Sequence, residues 1–243
     1  MSYALIIPAR FESSRFPGKP LLDLKGLPMV VRTYEQCAKV VDKGLIYVAT
    51  DDDRIVSVCA QHGIQTLRTS KQCLTGTDRV AECANKLNVD TYINVQGDEP
   101  VFNPCDIELL IDGMWRYPNK ILNGVCPIQD EAHFRSVSVP KVVMREDDTL
   151  LYMSRSPIPM GKDQNFVNGW RQVCAYVFPR DALLTFSLRS EKTRLEKIED
   201  IEILRFLELG FDVQMIRMSD KSIPIDHQDD VPAVLAAIEA RGL

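Results

Sequence analysis

Four short apolar runs, Tyr3–Pro8, Leu45–Ala49, Ile64–Leu67 and Thr91–Val95, are each separated by enough chain for a helix. That alternation constrains the fold more than any other feature. Between the first two runs, Pro28–Val41 reads as a helix. Pro28 sits in its first turn, and Met29, Val30, Tyr34, Cys37, Ala38 and Val41 are apolar at helical spacing. Thr50 or Asp51 is expected to cap a second helix running through Ala60, and Gly63 stops it. Asp78–Leu87 reads as a third helix, with Thr77 as its cap. Strands joined by single helices can pair in parallel only through right-handed crossovers.

The rhythm changes near residue 120. Ile121–Ile128, Ser136–Met144, Leu150–Met153 and Arg171–Phe178 read as strands without a long helix between them. Segment 155–170 is rich in Pro, Gly and polar residues and reads as a loop. Roughly 121–190 is therefore expected to be an antiparallel β extension. Leu195–Leu209 reads as one strong helix, Asp212–Met218 as a strand and Asp229–Ala240 as the last helix. The 243 residues suit a single domain spanning 1–243, an α/β fold with helices on both faces of a mostly parallel Rossmann-like sheet.

Chemistry enters just after the first strand. Pro8, Ala9 and Arg10 lead into a loop carrying Ser14, Arg15 and Lys19, with Ser13 and Gly18 between them. Cations offset phosphate charge, and small residues let backbone N–H groups approach phosphate oxygens. Ligands of open α/β sheets bind at that carboxyl edge. The loop therefore suits a nucleoside triphosphate. It is neither a Walker A loop nor a dinucleotide fingerprint, which disfavours P-loop ATPases and Rossmann dehydrogenases.

Asn94-Val95-Gln96-Gly97-Asp98-Glu99-Pro100 closes the fourth strand on the same edge. A triphosphate needs a divalent ion, and Mg²⁺ uses one or two carboxylates with phosphate oxygens. Asp98 is the first candidate ligand. Asp226, in the stretch after the last strand, is the second, while Asp229 and Asp230 suit a helix cap. Thr75, Gly76 and Arg79 open the third helix, where a base or ribose could rest on the backbone.

Net charge of −5 argues against a nucleic-acid binder. Seven scattered cysteines without a C-x-x-C pair, and three histidines that do not cluster with them, disfavour zinc and suit free thiols in a reducing cytoplasm. No apolar run approaches the roughly 18 residues that a membrane span needs.

Ile7-Pro8-Ala9-Arg10, Ser14-Arg15-Phe16-Pro17-Gly18-Lys19-Pro20-Leu21, Ala49-Thr50-Asp51, Thr75-Gly76-Thr77-Asp78-Arg79 and Asn94–Pro100 occur in that order. Leu151-Tyr152-Met153-Ser154-Arg155-Ser156-Pro157-Ile158-Pro159 and Leu195-Glu196-Lys197-Ile198-Glu199 follow. Together they closely resemble the CMP-Kdo synthetases, the 3-deoxy-manno-octulosonate (Kdo) cytidylyltransferases, nearly end to end. The resemblance implies a nucleotidyltransferase sheet and the reaction CTP + Kdo → CMP-Kdo + pyrophosphate, a step toward lipopolysaccharide. It implies catalysis by Arg10, Lys19 and Asp98. Nucleotide contacts would come from Pro8, Ala9, Arg10, Ser14, Arg15, Lys19, Thr75, Gly76 and Arg79, and Mg²⁺ would sit on Asp98 and Asp226. The sugar-acid pocket would take Gln96, Arg155, Gln172, Tyr176, Glu196 and Glu199, and the β extension would serve sugar binding and a homodimer interface.

Departures gather in the sugar half. Gln172 stands where the family often has His, and Ile203 stands where many members have Gln. His227 and Gln228 replace the usual flanks of the metal Asp. Losing a polar contact changes which hydroxyl or amine a pocket satisfies. Kdo is the expected substrate, with 8-amino-Kdo or a nine-carbon sialic-type acid as alternatives. An inactive nucleotide sensor is the alternative outside the enzymes.

Overall fold

The computed structural model describes residues 1–12 and 16–243. Two compact units emerge, Met1–Glu108 with Lys221–Leu243, and Leu109–Asp220. In chain order the first elements are β1 (Tyr3–Pro8), β2 (Asp23–Leu24), β3 (Leu27–Pro28), α1 (Met29–Cys37), β4 (Ile46–Thr50), α2 (Asp53–Gln61), β5 (Gln65–Arg68), α3 (Gly76–Ala84) and β6 (Thr91–Val95). Next come α4 (Pro104–Arg116), β7 (Ile121–Pro127), α5 (Glu131–Arg135), β8 (Lys141–Met144), β9 (Leu150–Ser154) and β10 (Trp170–Pro179). The chain ends with α6 (Arg180–Ser187), α7 (Arg194–Glu199), α8 (Ile203–Glu208), β11 (Val213–Arg217) and α9 (Val231–Arg241).

In the first unit β6, β1, β4 and β5 lie side by side, all parallel. Leu5, Ile6 and Ile7 are fully buried, as are Val48, Ala49, Ile93 and Val95. A parallel strand covered on both faces has no solvent side, which is why these segments read as continuous apolar runs. A second cluster joins Leu24, Met29 and Val101 to Ile225, Val234 and Ile238. It packs α9 and the segment before it against the β2–β3 hairpin, holding residue 226 near the start of the chain.

In the second unit β7 pairs β11 in parallel and β10 antiparallel, while β8 runs antiparallel to both β10 and β9. The fold is thus α/β with a mostly parallel sheet, surrounding helices and an antiparallel part. The longest helix, α4, was absent from the sequence reading. Its Gly113 obscures the helical pattern, yet a Cβ there would lie 3.0 Å from Leu122 Cδ1 and 3.1 Å from Ile216 Cδ1. The glycine lets the helix approach its strands closely.

Several boundaries differ from expectation. The N-cap of α2 is Asp52, whose carboxylate accepts from Arg54 N, rather than Thr50 or Asp51. The N-cap of α3 is Thr75, whose hydroxyl accepts from Asp78 N, rather than Thr77. The expected strand Ser136–Met144 is only Lys141–Met144, and the segment before it holds the short helix α5. The single helix Leu195–Leu209 is two helices, interrupted at Asp200 with φ 51°. Arg155 explains the break: its guanidinium takes the Glu199 and Asp200 carbonyls, which a continuing helix would need.

Candidate active site

The carboxyl ends of β1 and β6 meet in the first unit. Ala9 N donates to Ala49 O at 2.9 Å, turning the chain out of β1 toward exposed Arg10. Gly18 N donates to Phe11 O at 2.9 Å and closes the basic loop. Ser14 and Arg15 lie outside the described residues. Beyond β6, Gly97 passes so close to β1 that an added Cβ would be 2.6 Å from Pro8 O. No side chain fits there without moving backbone. Thr33 Oγ1 also donates to Gly97 O at 3.2 Å from α1.

Lys19, expected at a triphosphate, lies beside Asp98. Its Nζ donates to Asp98 Oδ2 at 2.7 Å and to Ile225 O at 2.6 Å. The two side chains are 13% and 29% exposed. Ile225 N in turn donates to Asp98 O at 3.0 Å. Asp226 therefore follows a residue whose N–H is bound to the Asp98 carbonyl and whose carbonyl is bound to Lys19. Asp230 Oδ2 accepts from the backbone N–H of Asp226 at 2.8 Å and of His227 at 2.7 Å, fixing that turn. Sequence reasoning placed Asp98 and Asp226 on one edge but missed the tie through Ile225, because a backbone carbonyl leaves no signature in residue type.

The acceptors Asp98 Oδ2 and Ile225 O already hold a cation, the Lys19 ammonium. Hard oxygen donors of this kind fit Mg²⁺. Among the described residues no three His, Cys, Asp or Glu side chains cluster for a metal. Phosphate oxygens and water would have to complete the shell, as they do where Mg²⁺ rides on a nucleotide.

The turn Thr75–Arg79 lies beside Gln96, whose Nε2 would be 2.9 Å from a Cβ on Gly76. Arg79 is buried and forms an ion pair with Asp51 at 3.3 Å. It also donates to Thr69 Oγ1. Arg79 thus braces the ends of β4 and β5 behind the turn rather than standing exposed.

The second unit holds the other residues expected at a sugar acid. Asn123 Nδ2 donates to Val173 O at 2.9 Å and Ala175 O at 3.0 Å, at the bulge of β10. Its Oδ1 accepts from Gln172 Nε2 at 3.0 Å, and the same Nε2 reaches Tyr176 Oη at 3.2 Å. Asn123, which holds the Gln172 amide against the β10 bulge, was not identified from sequence. Glu199 accepts from Ser154 Oγ at 2.7 Å, Arg155 N at 2.9 Å and Tyr152 Oη at 3.3 Å. Burial raises its pKa, but these hydrogen bonds and the Arg155 charge outweigh burial and hold it below the ordinary carboxylate value. Arg155 and Glu199 therefore brace β9 against α7.

Glu196 corrects the sequence reading. It is fully enclosed, and its carboxylate takes Arg205 Nε at 2.6 Å and Nη2 at 2.7 Å. Position 196 looked like a helix flank, but it is the third residue of α7, where its carboxylate also accepts from Thr193 N at 3.0 Å. A side chain with 0% exposure and a bidentate partner is structural rather than a sugar ligand.

The model of the family described as cytidylyltransferase matches residues 4–222. The chain belongs to the cytidylyltransferase family. This cytidylyltransferase is 35% identical to the 3-deoxy-manno-octulosonate cytidylyltransferase of Escherichia coli, over 97% of this chain and 94% of that one. It is 34% identical to the 8-amino-3,8-dideoxy-manno-octulosonate cytidylyltransferase of Shewanella sediminis, covering 95% and 96%. Its fold matches a solved CMP:2-keto-3-deoxy-manno-octonic acid synthetase complexed with CTP, with a TM-score of 0.91, 33% identity and full coverage of both chains. Among the described residues, no helix is long and apolar enough to cross a membrane.

Proposed function

We infer that this cytidylyltransferase joins CMP from CTP to Kdo or a close 2-keto-3-deoxy sugar acid, releasing pyrophosphate. The observation that carries the reading is Lys19 Nζ held on Asp98 Oδ2 and Ile225 O at the carboxyl edge of parallel strands. Relatives named for this activity match over nearly their full length. The anomeric hydroxyl of the acid attacks the α-phosphorus in line. Such transfer depends on positioning and on stabilising charge over the phosphoryl oxygens.

In this reading Arg10 and Lys19 bind the outer phosphates and hold the leaving pyrophosphate. The Thr75–Gly76 turn, with Gln96 beside it and Arg79 behind it, receives cytidine. Asp98 and Asp226 would hold Mg²⁺, which supplies charge neutralisation at the phosphates. Gln172 and Tyr176 contact the acid, and the enzyme works in the cytoplasm as a homodimer. Light scattering at micromolar concentration tests the dimer. An 8-amino acid is the second reading, supported by the Shewanella sediminis relative named for it.

Pyrophosphate release with CTP and Mg²⁺, offered Kdo, 8-amino-Kdo or N-acetylneuraminate, tests the function. Release with Kdo supports the first reading, and release with the 8-amino acid alone supports the second. Asp98→Asn should retain the fold by circular dichroism while losing about 100-fold or more in kcat. Unchanged turnover in that variant overturns the ion assignment.

A further inference from the structure

The Lys19 ammonium has three N–H donors, and two are committed to Asp98 Oδ2 and Ile225 O. Ile225 N closes the ring onto Asp98 O at 3.0 Å. The same two groups are wanted elsewhere under the proposed function: the ammonium by a triphosphate, the carboxylate by a divalent ion. Each ligand arriving alone meets a mismatch. A nucleotide without the ion must draw Lys19 from its carboxylate and leave Asp98 facing phosphate, anion against anion. An ion without the nucleotide must share Asp98 with an ammonium, cation against cation. Arriving together, the two ligands exchange partners so that every charge keeps a counter-charge.

We propose that Lys19 is an exchangeable counter-cation, passing from the Asp98–Ile225 acceptors to the triphosphate, and that this exchange makes nucleotide and divalent-ion binding mutually dependent. The proposal rests on Asp98 being an ion ligand in the reading above. Lys19 then does more than attract phosphate, because it also keeps the acceptors ordered until the ion replaces it. The coupling is reciprocal: whatever factor the ion adds to nucleotide affinity, the nucleotide adds to ion affinity.

Calorimetric titration of CTP into the whole chain tests this, with EDTA and with saturating Mg²⁺, and without sugar acid. In EDTA, Asp98→Asn should bind CTP about tenfold more tightly than the unaltered chain, because Lys19 is released from its carboxylate. In a Lys19→Gln background the same Asp98→Asn change relieves only the repulsion between Asp98 and phosphate and should gain clearly less than in the Lys19 background, and in a Lys19→Arg background the full gain should return. Circular dichroism establishes that each variant is folded, and Lys19→Met replaces Lys19→Gln if that variant is not. Equal gains in the Lys and Gln backgrounds would mean that Asp98 acts through its field alone and would overturn the exchange. So would no gain at all. Failure of the unaltered chain to bind CTP even with Mg²⁺ would overturn the proposed function, and the exchange with it.

Discussion

Arg205 grips Glu196 through two N–H groups, at 2.6 and 2.7 Å, with both side chains wholly shielded from water. The Arg205 guanidinium also lies 3.7 Å above the Phe186 ring centroid. Removing one member of such a pair leaves an uncompensated buried charge. Glu196→Gln should destabilise the fold by about 3–5 kcal/mol, whereas Glu196→Leu with Arg205→Leu should cost less. Urea unfolding of the two variants makes the comparison, and a double variant less stable than Glu196→Gln would count against it.

Gly97 sets the spacing between β1 and the turn that carries Asp98. The Cβ of Gly97→Ala would meet Pro8 O at 2.6 Å, a contact that only backbone movement relieves. We expect a loss of about 1–3 kcal/mol and a fall in pyrophosphate release, since Asp98 moves with the turn. Gly161→Ala is the control, because nothing lies within 4 Å of its Cβ and its φ is not positive. Thermal melts and turnover of both variants check the difference.

Glu199 gives the stability a direction in pH. Its folded pKa lies below the ordinary carboxylate value, burial being outweighed by the donors on Arg155, Ser154 and Tyr152. The unfolded chain therefore binds this proton at higher pH than the folded one. Its contribution is present above the unfolded carboxylate value, about 4.3, and is lost as pH falls through the folded value. Glu199→Gln should lower the melting midpoint at pH 7, and the gap from the unaltered chain should close toward pH 3. A constant gap across that range would contradict the assignment.

The Gln172 amide has a fixed orientation. Asn123 Nδ2 is spent on the Val173 and Ala175 carbonyls, so Asn123 Oδ1 must receive Gln172 Nε2. Gln172→Leu should cost about 1–3 kcal/mol by stripping that buried acceptor of its donor. Gln172→His should keep the fold while shifting the ratio of kcat/KM for Kdo and 8-amino-Kdo by about tenfold or more. Parallel steady-state assays on the two acids read it, and an unchanged ratio removes Gln172 from the specificity argument.

The parallel half of the fold was legible because each strand is buried on both faces and so leaves an unbroken apolar word, as in Leu5-Ile6-Ile7. Lys19 and Asp98 were visible as residue types on one sheet edge, and they meet there, whereas the cap of α3 was expected at Thr77 and lies at Thr75. The second unit was less legible. Gly113 hid α4, and a carboxylate at position 196 looked like a solvated flank.

By itself the sequence determined the alternation of strand and helix, the basic loop on the first strand's edge, the acidic turns and membership of a cytidylyltransferase family. Tertiary structure decided which charges meet. Lys19 finds Asp98 across 79 residues and Ile225 across 206, and Arg155 ends α7 from 44 residues away. Local propensity reports what a segment prefers alone, whereas pairing of buried charges and orphan carbonyls is settled only where distant segments exclude water together.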